Sequence, residues 1–209
     1  MGAIGVPGYG WEAKIVGSDG ETPVAKGEVG ELALKGPGVM KEYYRNKAAT
    51  EETLKPGGWL LTGDMAEERD GFIYLVDRAK DVIISGGENL YPVQIEDFLR
   101  TNPAVKDVAV IGLPDERLGE IAAAIIELKP EYVGVEATAM AGNSAAEPGS
   151  TTIITDEDVE EFCMDLPRYK RPRKIIFAEV PRNPTGKIEK PKLRERYGAV
   201  NLVGQESNR

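Results

Sequence analysis

Apolar residues fall along this chain in two patterns, and the change between them comes at Arg78. Upstream they form short runs cut by turn residues. Residues 12–16 and 31–35 are predicted as extended segments, with Asp19-Gly20 turning the chain between them. Residues 47–54 suit a short helix that ends near Pro56-Gly57-Gly58. Residues 59–62 and 72–76 are predicted strands, separated by a turn at Asp70-Gly71. The first part of the chain is therefore expected to be a small β-rich unit.

Downstream, strand-like and helical runs alternate. Residues 82–84 are a predicted short strand, and Ser85-Gly86-Gly87-Glu88-Asn89 reads as a tight strand-to-helix turn. The helix over 92–100 opens on Pro92 and is stopped by Asn102-Pro103. Residues 108–113 and 121–128 are apolar enough for buried strands. Thr155 with Asp158 three positions on marks a helix start, and that helix ends before Pro167. A strand over 174–180 and a helix over 190–197 follow. The fold class expected is α+β: a β-rich subdomain over residues 1–78, then a compact α/β layered domain over residues 79–209. Residues 130–152 fit neither pattern. The part from 135 to 150 is rich in Ala, Gly, Ser, Glu and Pro, and is expected to be mobile and dispensable for folding.

Composition narrows the chemistry. The 209 residues are 41% hydrophobic, and no apolar run reaches membrane-spanning length. The opening residues carry no basic, apolar signal segment, and Cys163 is the only cysteine. Both features point to the cytoplasm. The net charge of −9 argues against a nucleic-acid role. Within that acidic chain, residues 168–194 form a basic tract suited to phosphate or to solvent. Histidine is absent. That excludes Ser-His-Asp and Cys-His catalysis and histidine-ligated metals, and leaves lysine, arginine, carboxylates, backbone amides or a metal carried by phosphate.

Those residue types gather in four places. In Leu61-Thr62-Gly63-Asp64, a glycine at a strand end lets backbone approach a ligand while Asp64 accepts from vicinal hydroxyls. The same aspartate also fits a turn that caps its own backbone. In Asp77-Arg78-Ala79-Lys80, Arg78 offers a donor fork for phosphate or ribose oxygens, or pairs with Asp77 or Asp81 in a charged linker. Gly86 and Gly87 leave a passage free of side chains, but no Lys-Ser/Thr follows, so this is not a phosphate loop. Pro181-Arg182-Asn183-Pro184-Thr185-Gly186-Lys187 presents a cation on a turn-rich loop, preceded by Tyr169-Lys170-Arg171-Pro172-Arg173.

In their order and distances, these segments resemble the hinge and the catalytic-lysine loop of the AMP-forming acyl-CoA synthetases. Residues 83–92 resemble the fatty- and aryl-CoA ligases most. The resemblance implies activation of a small-molecule carboxylic acid with ATP as an acyl-adenylate, then transfer to coenzyme A, as in fatty acid metabolism. It implies Lys187 as the catalytic lysine, Asp64 and Arg78 as nucleotide-binding residues, and Lys80 as the hinge pivot. It places Gly86 and Gly87 along the pantetheine path and Tyr169 and Arg171 near the nucleotide of coenzyme A. Mg2+ would be held mainly by a preceding half, and a protein lysine acetyltransferase would act on Lys187. Only the C-terminal portion is resembled, so the chain is expected to be a fragment without a complete active site. A carrier protein as acyl acceptor, luciferase-like oxidation and a non-enzymatic binding module remain open alternatives.

Overall fold

The computed structural model describes residues 2–132 and 154–198. The expectation for residues 135–150 lies outside them. The chain divides into two units, Met1–Asp81 and Val82–Arg209.

The first unit is built on an antiparallel sheet. Its strands are β1 (Ala3–Gly5), β2 (Glu12–Val16), β3 (Gly30–Lys35), β4 (Leu54–Lys55), β5 (Trp59–Arg69) and β6 (Phe72–Arg78), in the order β1-β6-β5-β3-β2 with β4 on β5. Alternation along β2 and β3 puts Ile15 and Leu32 into a core with Ala66, which Leu34, Ile73 and Leu75 extend. One short helix, α1 (Lys47–Thr53), interrupts the sheet, its start capped by Asn46, whose side chain accepts from the Ala49 amide at 3.1 Å. Leu54 and Lys55, at the end of the expected helix and just beyond it, pair with β5 instead.

β5 also departs from expectation. Eleven residues long, it runs straight through Thr62-Gly63-Asp64, where a strand end was expected. It survives because it bulges there. Glu31 pairs with Met65 and Ala33 with Leu61, so Leu32 alone stands opposite the tripeptide. Gly63 supplies the left-handed backbone the bulge needs, with φ at 74°.

The second unit is layered, as expected for an α+β chain. Its strands are β7 (Ile83–Ser85), β8 (Glu88–Leu90), β9 (Val105–Asp115), β10 (Gly119–Leu128) and β11 (Lys174–Phe177). Its helices are α2 (Pro92–Leu99), α3 (Asp156–Phe162) and α4 (Lys190–Gly198). The long hairpin β9–β10 is the centre. Because side chains alternate along it, one face carries Val108, Val110, Ala124 and Ile126 toward the core that α2 and α3 complete through Ile95, Leu99 and Val159. The other face carries Ala109, Ile111, Ala123 and Ile125 toward Leu193 of α4. Burial on both faces explains why these strands read as continuous apolar runs rather than alternating ones. β11 lies parallel to β10 along residues 123–126, and β7 meets the same strand at Gly119. Among the described residues β9 pairs with β10 alone, so its outer edge there is open to side chains. The capping box at Thr155 and Asp158 forms as the sequence predicts.

Gly86-Gly87 is not a strand-to-helix turn. It closes a β-hairpin between β7 and β8, whose ladder pairs Ile83 with Leu90 and Ser85 with Glu88. Both glycines have positive φ, 60° and 88°, as a tight two-residue hairpin turn requires. α2 begins only after β8, at Pro92.

Candidate functional site

Asp64 and Arg78 face each other across β5 and β6. The Arg78 Nε lies 2.8 Å from the Asp64 Oδ1, with side-chain exposures of 60% and 27%. An exposed pair of this kind stabilises a fold by about 1 kcal/mol at most. Both groups are thus available to exchange partners for a polar ligand at little cost. The backbone beneath them is fixed. Thr62 Oγ1 donates to the Leu32 carbonyl at 2.8 Å and accepts from the Asp64 amide at 3.1 Å, while the Gly63 amide donates to Glu31 at 2.9 Å. The bulge therefore presents one carboxylate and one guanidinium side by side on a rigid strand pair. Lys80 follows in a single 3-10 turn, Ala79–Asp81, at the end of the first unit, and is exposed.

In the second unit, Lys187 sits on a loop tied by one side chain. Asn183 Oδ1 accepts from the Thr185 amide (3.0 Å), the Thr185 hydroxyl (2.7 Å) and the Lys187 amide (2.9 Å). The Asn183 amide in turn donates to the Lys187 carbonyl at 2.9 Å. Arg182 bonds the Gly186 carbonyl from the side. With its backbone so held, Lys187 is exposed, and its ammonium has no hydrogen bond or ion pair among the described residues. Loop and cation together amount to a positive charge on a stiff mount.

The hairpin turn is held differently. The Gly86 amide donates to the Leu118 carbonyl at 2.8 Å, and Glu120 accepts from the Ile84 amide at 3.1 Å. A Cβ on Gly86 would lie 3.1 Å from Leu118 Cδ2, whereas a Cβ on Gly87 would enter open space. Gly87 is thus the face of the turn that something can pass.

Tyr169 is half exposed, with the Lys170 ammonium 5.6 Å from its ring centre. Arg171 is occupied internally: Nε reaches the Leu166 carbonyl at 2.9 Å and an Nη the Met164 carbonyl at 2.8 Å. It closes the turn that presents Tyr169. Cys163 is buried, and desolvation pushes its thiol up to about 11. Among the described residues no three His, Cys, Asp or Glu side chains are placed to hold a metal ion. No helix among them is long and apolar enough to cross a membrane.

Sequence reasoning missed the residues that hold these groups. Glu96 lies on the buried face of α2, Asp107 on β9, and Asn183 inside the loop. For Glu96 a signal existed: its place beside Ile95 and one turn before Leu99 buries a carboxylate, which requires a partner.

Residues 94–187 match the family described as AMP-binding enzyme C-terminal domain. A long-chain-fatty-acid–CoA ligase of Mycobacterium tuberculosis, FadD13, is 44% identical over 174 residues, covering 82% of this chain and 30% of that protein. Feruloyl-CoA synthase of an Amycolatopsis species is 38% identical over 200 residues, covering 95% of this chain and 36% of its own length. Among solved structures, ATP-bound MatB from Rhodopseudomonas palustris superimposes with a TM-score of 0.78 at 29% identity, over 95% of this chain and 36% of that one. The chain spans about a third of the length of these relatives.

Proposed function

This chain belongs with the AMP-forming acyl-CoA synthetases, and on that premise we propose that it is the C-terminal portion of an ATP-dependent enzyme that activates a carboxylic acid and transfers it to coenzyme A. The observation that carries the proposal is Lys187: an exposed ammonium, unpaired among the described residues, on a loop whose backbone is tied at Asn183. Adenylation places a carboxylate oxygen on the α-phosphorus of ATP and expels pyrophosphate. The carboxylate needs no general base, so a chain without histidine suffers no deficit. What the step needs is a cation held where negative charge gathers, and Lys187 supplies it. Asp64 accepts from the ribose hydroxyls, and Arg78 exchanges Asp64 for ligand oxygens. In the second step a thiol attacks the acyl carbon and AMP leaves. The open side of Gly87 gives the pantetheine arm its path, with Gly86 pinned behind it, and Tyr169 offers a ring to the adenine while Arg171 holds that turn in place. Lys80 is the pivot between the two steps. Mg2+ would be held mainly by the preceding half of such an enzyme together with the ATP phosphates.

The test uses the full-length enzyme that carries these residues. It should catalyse carboxylate-dependent ATP–pyrophosphate exchange and then load coenzyme A in preference to a carrier protein. Exchange without transfer to coenzyme A, but with transfer to a carrier, would assign it to the carrier-loading ligases. The 209 residues alone should show no exchange, and clear exchange by them would overturn the reading of a C-terminal portion.

A further inference from the structure

The outer edge of β9 is lined by three charged side chains, and two of them also reach the feet of the Lys187 loop. Val108 and Val110 turn their backbone groups off the sheet at this edge. The Val108 amide donates to Asp107 at 2.9 Å, the Val108 carbonyl accepts from Arg100 at 3.2 Å, and the Val110 amide donates to Glu96 at 2.8 Å. Sealing an open edge is one use for these side chains. Two of them do more. The Asp107 carboxylate takes the Arg182 guanidinium at 2.7 Å, and Arg182 is the residue that grips the Gly186 carbonyl. The Glu96 carboxylate takes the Lys190 ammonium at 2.8 Å, in a pair where the side chains are only 5% and 11% exposed. Lys190 is the first residue of α4, three positions after Lys187.

Lys190 is an unfavourable residue where it stands. A cation at a helix start opposes the helix dipole, and the first turn of α4 holds no acidic residue of its own. Glu189, just before the helix, pairs with Lys192 at 2.6 Å, and it is Glu96, from a different helix, that pairs with Lys190. The Glu96 carboxylate also has Arg100 at 3.7 Å on its other oxygen, but Lys190 takes the shorter contact. A buried Glu–Lys pair is poor as a source of stability but specific as a register pin, because breaking it leaves a buried charge short of its partner. The pin therefore sets where α4 begins and where the loop before it must end.

We propose that Glu96 and Asp107 are positioning residues for Lys187, clamping its loop at both feet to the open edge of β9. The assignment of Lys187 as the adenylating cation rests on the function proposed above; the clamp itself does not. Glu96 acts through Lys190 downstream of Lys187, and Asp107 through Arg182 upstream. Because the first pair is buried and the second is exposed, Glu96–Lys190 is the stronger hold.

Amide hydrogen exchange on the 209-residue chain tests the clamp without any activity. Lys190→Met keeps the aliphatic stem and removes the charge. It should speed exchange at Gly186 and Lys187 at least tenfold, with the amides of Ala123, Ala124 and Ile125 changed by less than twofold. Lys190→Arg, which restores a cation to Glu96, should bring the loop back to within about threefold of the native rate. Unchanged loop exchange, or equal acceleration in loop and β10, overturns the proposal. If Lys190→Met does not fold, Asp107→Asn decides: about threefold faster loop exchange supports the clamp, and none sinks it. In the full-length enzyme, Lys190→Met should lower kcat for adenylation about tenfold with the KM for ATP within twofold. A Lys187→Ala enzyme with intact adenylation would remove the catalytic reading and leave the exchange result standing.

Discussion

The Lys187 loop and the Gly86-Gly87 hairpin are both short turns expected to meet a ligand, yet they draw on side chains to different degrees. The hairpin is fixed by backbone: a ladder to β8, a carbonyl from Leu118 and two residues at positive φ. The Lys187 loop adds side chains to its backbone bonds, with Asn183 inside it and Arg182 and Lys190 reaching carboxylates on β9 and α2. The difference follows from what each would present. A passage for a thin ligand needs side chains removed at the turn, so mainly backbone defines it, with Glu120 bonding the Ile84 amide on the strand before it. A cation needs a side chain projected outward, and its mount is free to use every neighbouring polar group. Rigidity in the hairpin is thus sensitive to φ, and rigidity in the loop to charge and hydrogen bonding.

The largest break should come from the buried carboxylate. Glu96→Ala leaves Lys190 unpaired and the Val110 amide unsatisfied, and is expected to destabilise the chain by about 3–5 kcal/mol. Urea denaturation checks it, with the midpoint falling at unchanged slope. Next, Asn183→Ala removes three contacts at one acceptor and should cost about 1–2 kcal/mol locally. Its sign should be faster exchange at Thr185 and Lys187, with the hairpin amides unaffected. Gly87→Ala should do the reverse. A Cβ there meets no atom, so the cost is the left-handed backbone alone, about 1–2 kcal/mol, and it should appear at β7 and β8 and not at the loop. The smallest effect is kinetic. Cys163 stays a buried thiol with its ionisation held up near 11, so iodoacetamide at pH 8 should label it far more slowly in the native chain than in urea. Equal rates would contradict the packing of the α3 end.

Much of this was legible in the sequence where the signal is local. β2, the Pro92 start of α2 and the Thr155–Asp158 box follow from residues within a few positions of each other. β8 was not legible, because Glu88 and Asn89 are exposed and Leu90 is its only buried residue. The continuation of β5 was hidden by the bulge, which shifts the alternation at Gly63. The strand expected over 174–180 pairs only as far as Phe177, and Val180 is instead held by its amide on Glu127 at 3.1 Å. Asp64 and Arg78 each carry a signal of their own in the sequence, but their meeting depends on the register of β5 with β6. The clamp was least visible, since Glu96–Lys190 and Asp107–Arg182 join residues far apart in the chain, and no local pattern marks either pair.

The central claim is that these two turns serve two different steps, with Lys80 between them. Timing each half-reaction separately in full-length Lys187→Ala and Lys80→Pro enzymes tests it most directly. Lys187→Ala should slow adenylate formation by roughly 100-fold or more, the scale for losing one charge-stabilising group, while still converting supplied acyl-adenylate and coenzyme A to thioester. Lys80→Pro fixes a backbone angle at the pivot and should leave adenylate formation intact while thioester formation slows. Loss of the same step to the same extent in both enzymes would contradict the account.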